Sequence, residues 1–391
     1  MFLKNAVRLS AVLLSTTLAC GTPSTATPGS GSGGSVGSGG SVGSGGSVGS
    51  GGSVGSGGSV GSGGSDGSGG SSGGSGGTPL PDAGGDATPP RDMGPAPDMG
   101  PPPANGDEVP ERPLNVDTAM GRMFTITFTP SQADPAATRL NQTQMAGVNT
   151  AMGPHRGKLV VLLSGVGSPP GPNNLVGYTA NLGFHAMSVA YENSFNPSTA
   201  GNISPAAYGD MRQEEFDGMD HFGGITVGRP DCVEVRVAKA MAYLAKQNPQ
   251  GDWGYFLKSN GEVRWSDVVF MGHSHGASSA AYYGKIRRLW RAISLSGPRD
   301  TNPTTASWLS TEFLTPKDRF YGLTGTGDPQ YPDHQKAMMI AGYPGTLTNV
   351  GSAQPPYGMS HRLSYNGGHN DSTNCGGTFN AACRYMLGVA P

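Results

Sequence analysis

The chain has 391 residues, 25 Lys+Arg against 27 Asp+Glu and a formal net charge of -2. Apolar residues make up 35% and charged residues 13%, with Gly 66 and Pro 32, which excludes one uniform globular protein. A near-neutral charge without a long basic run argues against nucleic acid as a partner, and Arg287, Arg288 and Arg291 read as a solvated helix face.

Residues 1–19 carry Lys4 and Arg8, a short apolar run at 9–14, and small residues leading to Cys20. That is the pattern of a secretory signal peptide, with an apolar stretch too short to span a bilayer. Thr17-Leu18-Ala19-Cys20 resembles a bacterial lipobox. The resemblance implies that Cys20 is lipidated and that the protein is an exported lipoprotein of the cell envelope. Gly21 in the following position points to the outer membrane. Residues 31–66 are six hexamers, five of Gly-Ser-Gly-Gly-Ser-Val and one ending in Asp66. Such a repeat buries no core and reads as a flexible tether. Residues 78–113 turn Pro-rich and should be stiffer. Nearly half of the glycines fall within residues 1–113. The expected organisation is therefore a signal peptide (1–19), a disordered linker (20–113) and one α/β domain (114–391).

Within that domain, residues 123–129 alternate as a half-buried strand does, and 158–163 form a continuous apolar run typical of a buried parallel strand. A short helix is expected at 173–183 and a strand at 185–191. Residues 230–246 read as the best helix, with Asp231 as its cap and Val233, Val237, Met241 and Leu244 on one face. Further strands are expected at 267–271, 291–295, 319–323 and 363–365, and helices at 276–290 and near 381–387. Strands alternating with helices imply a mostly parallel sheet covered on both faces.

The strand at 267–271 runs into Gly272-His273-Ser274-His275-Gly276 and then into the small residues Ala277, Ser278, Ala280 and Ala281. This is Gly-x-Ser-x-Gly at a strand-to-helix junction. A sharp turn there exposes the serine, glycine fits on either side, and the helix N-terminus favours negative charge at Ser274. At this point the chain resembles the α/β-hydrolase superfamily of serine esterases and lipases, from about Met123 onward. The resemblance implies a triad in the order Ser, acid, His. Asp328, in the turn after 319–323, is the expected acid, with Asp300 as the alternative. His369, in Gly367-Gly368-His369, is the expected base, with His361 as a second candidate. Backbone N–H groups of His275 and Val166 are the expected oxyanion donors. Val166 lies in Ser164-Gly165-Val166-Gly167, which resembles the family's His-Gly loop with Ser in place of His.

The function expected is hydrolysis of carboxylic esters of small molecules through an acyl-enzyme, without metal or other cofactor. The alternatives are a serine peptidase or acyltransferase on the same triad, and a non-catalytic binding domain. His273 and His275 should point apart across the turn rather than share a metal. Asp333-His334 reads as surface loop, and Trp253, Tyr255 and Phe256 as core. Cys375 and Cys383 enclose a short loop, and a disulfide there would steady the His369 loop. Cys232 is expected as a buried free thiol, although a bridge from it to either of the other two is an open alternative. Trp308, Leu309, Phe313 and Leu314 are candidates for one wall of an acyl pocket. The insertion at 193–229, with Asn196, Asn202, Asp210, Glu214, Glu215 and Asp217, reads as a polar rim. An open, polar mouth favours acyl chains of roughly C2 to C6.

Overall fold

The structure is a computed structural model and describes residues 106–390. The expected signal peptide, the lipidation site Cys20 and the tether repeats lie outside the described residues. Nine strands form one sheet: β1 (Met123–Phe128), β2 (Gln144–Asn149), β3 (Leu159–Leu163), β4 (His185–Ser188), β5 (Val268–His273), β6 (Arg291–Leu295), β7 (Phe320–Gly325), β8 (Thr348–Asn349) and β9 (Arg362–Tyr365). Seven α-helices connect and cover them: α1 (Pro130–Ala133), α2 (Asn174–Asn181), α3 (Ala207–Asp217), α4 (Val233–Gln247), α5 (His275–Ile286), α6 (Tyr331–Ile340) and α7 (Asn380–Met386).

The strand order is β1-β2-β4-β3-β5-β6-β7-β9-β8. β2 runs antiparallel to both β1 and β4, and every other pairing is parallel. Period-two alternation divides the apolar side chains between two cores. Leu159, Val161 and Leu163 of β3 face one core with α4 and α5, whereas Val160 and Leu162 face the other with α2 and α7. All five residues of β3 are buried, as a strand covered on both faces must be. Trp253, Tyr255 and Phe256 are core residues, as expected.

Five elements went unrecognised in the sequence: α1, β2, α3, α6 and β8. β2 (Gln-Met-Ala-Gly-Val-Asn) has no clean alternation, and its Gly147 exists for packing. A Cβ there would lie 2.9 Å from both the Met123 and the Val176 side chains. The best helix begins at Val233 rather than Pro230, and Asp231 does not cap it. Its carboxylate instead accepts from the Arg139 N–H (3.0 Å) and the Arg236 guanidinium (2.8 Å). α5 stops at Ile286, so Arg287, Arg288 and Arg291 do not form a helix face; Arg291 opens β6.

Packing begins upstream of Leu114. Asp107 bridges Arg288 and Arg319 at 2.8 Å each, and Arg112 pairs bidentately with Asp252. Arg288 and Arg319 precede β6 and β7, so the chain enters the domain along the amino edge of the sheet. The Arg319 and Arg288 guanidiniums hold the Asp107 carboxyl down at about 2.

Candidate active site

Because β3, β5, β6, β7 and β9 are parallel, their carboxyl ends share one edge, where open α/β sheets place ligands. Ser274 follows β5 there at φ 58 and ψ -117, a strained conformation for a residue with a side chain. The flanking glycines are obligatory on steric grounds. A Cβ on Gly272 would lie 1.8 Å from the Gly276 carbonyl oxygen, and one on Gly276 would lie 2.4 Å from that of Leu163. Ser274 N–H donates to the Leu295 carbonyl (2.9 Å), which ties the turn to β6. With the strand order above, this strand–Ser–helix turn decides the architecture. The chain has the α/β-hydrolase fold.

In this α/β-hydrolase fold Asp328 follows β7 and His369 follows β9. The two side chains meet, with Asp328 Oδ2 and His369 Nδ1 2.5 Å apart. Asp328 Oδ1 accepts the Gln330 N–H at 2.8 Å. Burial alone would raise the Asp328 carboxyl, but the Gln330 N–H and His369 hydrogen bonds outweigh it and hold it below the usual carboxylate range. The His369 carbonyl accepts from Ser296 Oγ (2.5 Å) and lies 3.2 Å from His273 Nε2, which packs the loop against the ends of β5 and β6. The His273 and His369 rings lie 5.1 Å apart. No hydrogen bond joins Ser274 Oγ to His369 among the described residues.

His275 opens α5, where backbone N–H groups have no preceding carbonyl to bond. Val166 lines the same cleft as Ser274 and is 38% exposed. A residue not singled out in the sequence braces its loop: Asn193 Nδ2 donates to Ser164 Oγ (3.1 Å), Gly165 O (2.7 Å) and Ser168 O (3.0 Å). The cleft beside Ser274 is small, about 70 Å³, and its walls are mostly polar.

The alternative acid, Asp300, also lies at this edge but is committed elsewhere. It forms a two-point ion pair with Arg212 of α3, both contacts at 2.6 Å, and accepts from Trp308 Nε1 at 3.1 Å. His361 is at the opposite edge, bonded to the Phe320 carbonyl (3.0 Å) and stacked on Tyr321. The insertion at 193–229 is not a solvated rim throughout. Asn202 and Asp210 are exposed, but Glu214, Glu215 and Asp217 are buried. Glu214 accepts the N–H groups of His221, Phe222 and Val227. Glu215 holds His275 Nε2 (2.8 Å) and Ser279 Oγ (2.9 Å). Glu215 looks solvent-facing in sequence because its partners are distant in the chain, whereas Glu214 is buried by the N–H groups of the loop that follows it. Trp308 and Leu309 are buried in the core rather than lining the cleft.

His334 lies on α6 with no exposure, not in the surface loop that the sequence suggests. Its Nδ1 is 2.7 Å from Thr324 Oγ1 and 3.8 Å from Asp328 Oδ2. Burial pushes it down to about 4, so it is neutral at pH 7. Burial does the same to His273, also to about 4. Donor atoms of Asp328, His334 and His369 lie within 4.8 Å of one another, close enough to hold a metal ion. The ring nitrogens that face Asp328 are, however, already engaged by Thr324 and by Asp328 itself. His273 and His275 diverge, toward the His369 carbonyl and Glu215. Cys375 and Cys383 form a disulfide, and Cys232 is a buried free thiol whose burial raises it to about 11.

No protein-family model matches the chain, and no curated protein matches it. Similar solved structures include an esterase B from Lactobacillus rhamnosis inhibited by a tributyrin phosphonate, with 13% identity over 72% of this chain and 85% of that one and a TM-score of 0.40. Thermogutta terrifontis esterase 2, phosphonylated by cyclosarin, shares 15% identity over 68% of this chain and 96% of its own, with a TM-score of 0.34. A dienelactone hydrolase-like promiscuous phosphotriesterase from metagenomic libraries shares 14% over 68% and 96%, with a TM-score of 0.35.

Proposed function

We propose that the protein is a serine hydrolase that cleaves short carboxylic esters, with Ser274 as nucleophile, His369 as base and Asp328 as the acid that orients it. The observation that carries this reading is the Asp328–His369 pair at the sheet edge where the strained Ser274 turn also lies. Ser274 Oγ attacks the ester carbonyl while His369 Nε2 takes its proton. The tetrahedral oxyanion is met by the N–H groups of His275 and Val166, each such donor being worth about 10²–10³ in rate. The proton then passes to the departing alcohol, leaving an acyl-serine. Water, deprotonated by His369, hydrolyses it and restores Ser274. Asp328 stabilises the imidazolium formed in each half-reaction.

The cleft of about 70 Å³ favours a short acyl group, since its volume is well below that of drug-sized pockets. Residues 1–66 support export and a lipid anchor at Cys20, with the domain carried on a tether. Labelling of the full chain by a fluorophosphonate tests the nucleophile. Ser274→Ala should abolish the label, and a folded wild type that takes none overturns the reading. A p-nitrophenyl ester series from acetate to palmitate should peak at C2 to C6. Cys20→Ser should move the protein from the membrane to the soluble fraction.

A further inference from the structure

Two guanidiniums line the cleft with Ser274, and they are not equivalent. Arg212 has a partner at each of its three nitrogens, Asp300 at two and Ser279 at the third, with Glu215 3.9 Å away, so three of its five N–H donors are engaged. Among the described residues, Arg299 is engaged at two nitrogens only. Its Nη1 donates to Ser198 Oγ, and its Nε reaches Asp333 at a long 3.4 Å. Asp333 is itself shared with Asn302, whose amide donates to the same oxygen at 3.1 Å. Of the five N–H donors of Arg299, three have no partner among the described residues. The side chain is 25% exposed, so much of it is withdrawn from water. The group is also held in place at its root: the Arg299 N–H donates to Ser278 Oγ of α5 at 2.9 Å, and Ser198 is fixed by Asn196. A positioned, half-buried guanidinium with free donors suits a carboxylate, which it can meet with two parallel bonds.

We propose that Arg299 forms an anion subsite and that the preferred substrates are short esters carrying a free carboxylate, as in a half-ester of a small dicarboxylic acid. The inference rests on the serine-hydrolase reading and narrows its substrate class. The smallness of the cleft sets the geometry: Arg299 and Ser274 border the same 70 Å³, so the carboxylate lies within a few bonds of the scissile carbonyl. Arg299 is then a specificity-determining residue, and the alcohol leaves toward solvent.

The test uses the full chain and two methyl esters of matched length, monomethyl succinate and methyl pentanoate, followed by pH-stat titration. The readout is the ratio of their kcat/KM values, which cancels any loss of activity common to both. The wild type should favour the charged ester on the order of tenfold, as a charged hydrogen-bonded pair supplies. The ratio should fall to about one in Arg299→Met, keep an intermediate value in Arg299→Lys, and shrink in high salt. Turnover of the neutral ester with a wild-type ratio at or below one overturns the subsite and leaves the serine hydrolase standing. A ratio that survives Arg299→Met also overturns it. If neither ester is cleaved and fluorophosphonate does not label Ser274, both readings fail together.

Discussion

Asp300 and Asp328 are the same residue type, follow adjacent strands of the same sheet edge, and are each 4% exposed. Their partners separate them. Asp300 is gripped at both oxygens by a guanidinium that cannot give up a proton, so the pair can only hold structure. Asp328 gives one oxygen to a backbone N–H and the other to His369, whose side chain is 25% exposed. Burial and position therefore do not separate these two carboxylates; the partner that each one meets does.

The largest effect that could break this comparison is on turnover. Ser274→Ala and Asp328→Asn should each lower kcat by about 10⁴ or more with the fold unchanged. Asp300→Asn should not match that loss per folded molecule, and ester kinetics normalised to folded protein will show whether it does. In stability the order reverses. Removing Asp300 leaves Arg212 charged and buried, so Asp300→Asn should cost about 3–5 kcal/mol in denaturant unfolding, against little for Asp328→Asn.

Histidines sharpen the contrast further. His334, His273 and His185 all have pKa values lowered by burial to about 4, against 6.5 unfolded. The unfolded chain takes up protons that the folded chain refuses, so stability should decline as pH falls from 6.5 toward 4. His334→Asn should flatten that slope by its share in urea unfolding at pH 7 and pH 4.5. The smallest effect belongs to Asp107, an arginine-paired carboxylate like Asp300 but largely solvated. Its folded value of about 2 lies below the usual 3.8, so its stabilisation is present above about pH 4 and lost as pH falls toward 2. Solvent screening limits it to about 1 kcal/mol at most, and Asp107→Asn measured at low and high salt will read it.

What was legible in the sequence is what repeats locally. The apolar run of β3, the alternation of β1 and the Gly-x-Ser-x-Gly junction are each written within a few residues, because a strand's period and the crowding of a tight turn are short-range constraints. The expectation of Ser274, Asp328 and His369 in that order came from the family that the junction suggested. The structure adds the contact between the latter two, which are 2.5 Å apart across two strand ends.

Only the tertiary structure decided the rest. No local pattern reveals that Glu214, Glu215 and Asp217 are buried, because their partners lie in α5 and in the loop after α3. None shows that Asn193 braces the Val166 loop from 28 positions away, or that Asp107 is clamped by arginines more than 180 positions downstream. Composition and periodicity determine which segments can be buried. Which polar groups follow them inside depends on where distant donors come to rest, because a buried charge is tolerable only beside a partner that the folded chain supplies.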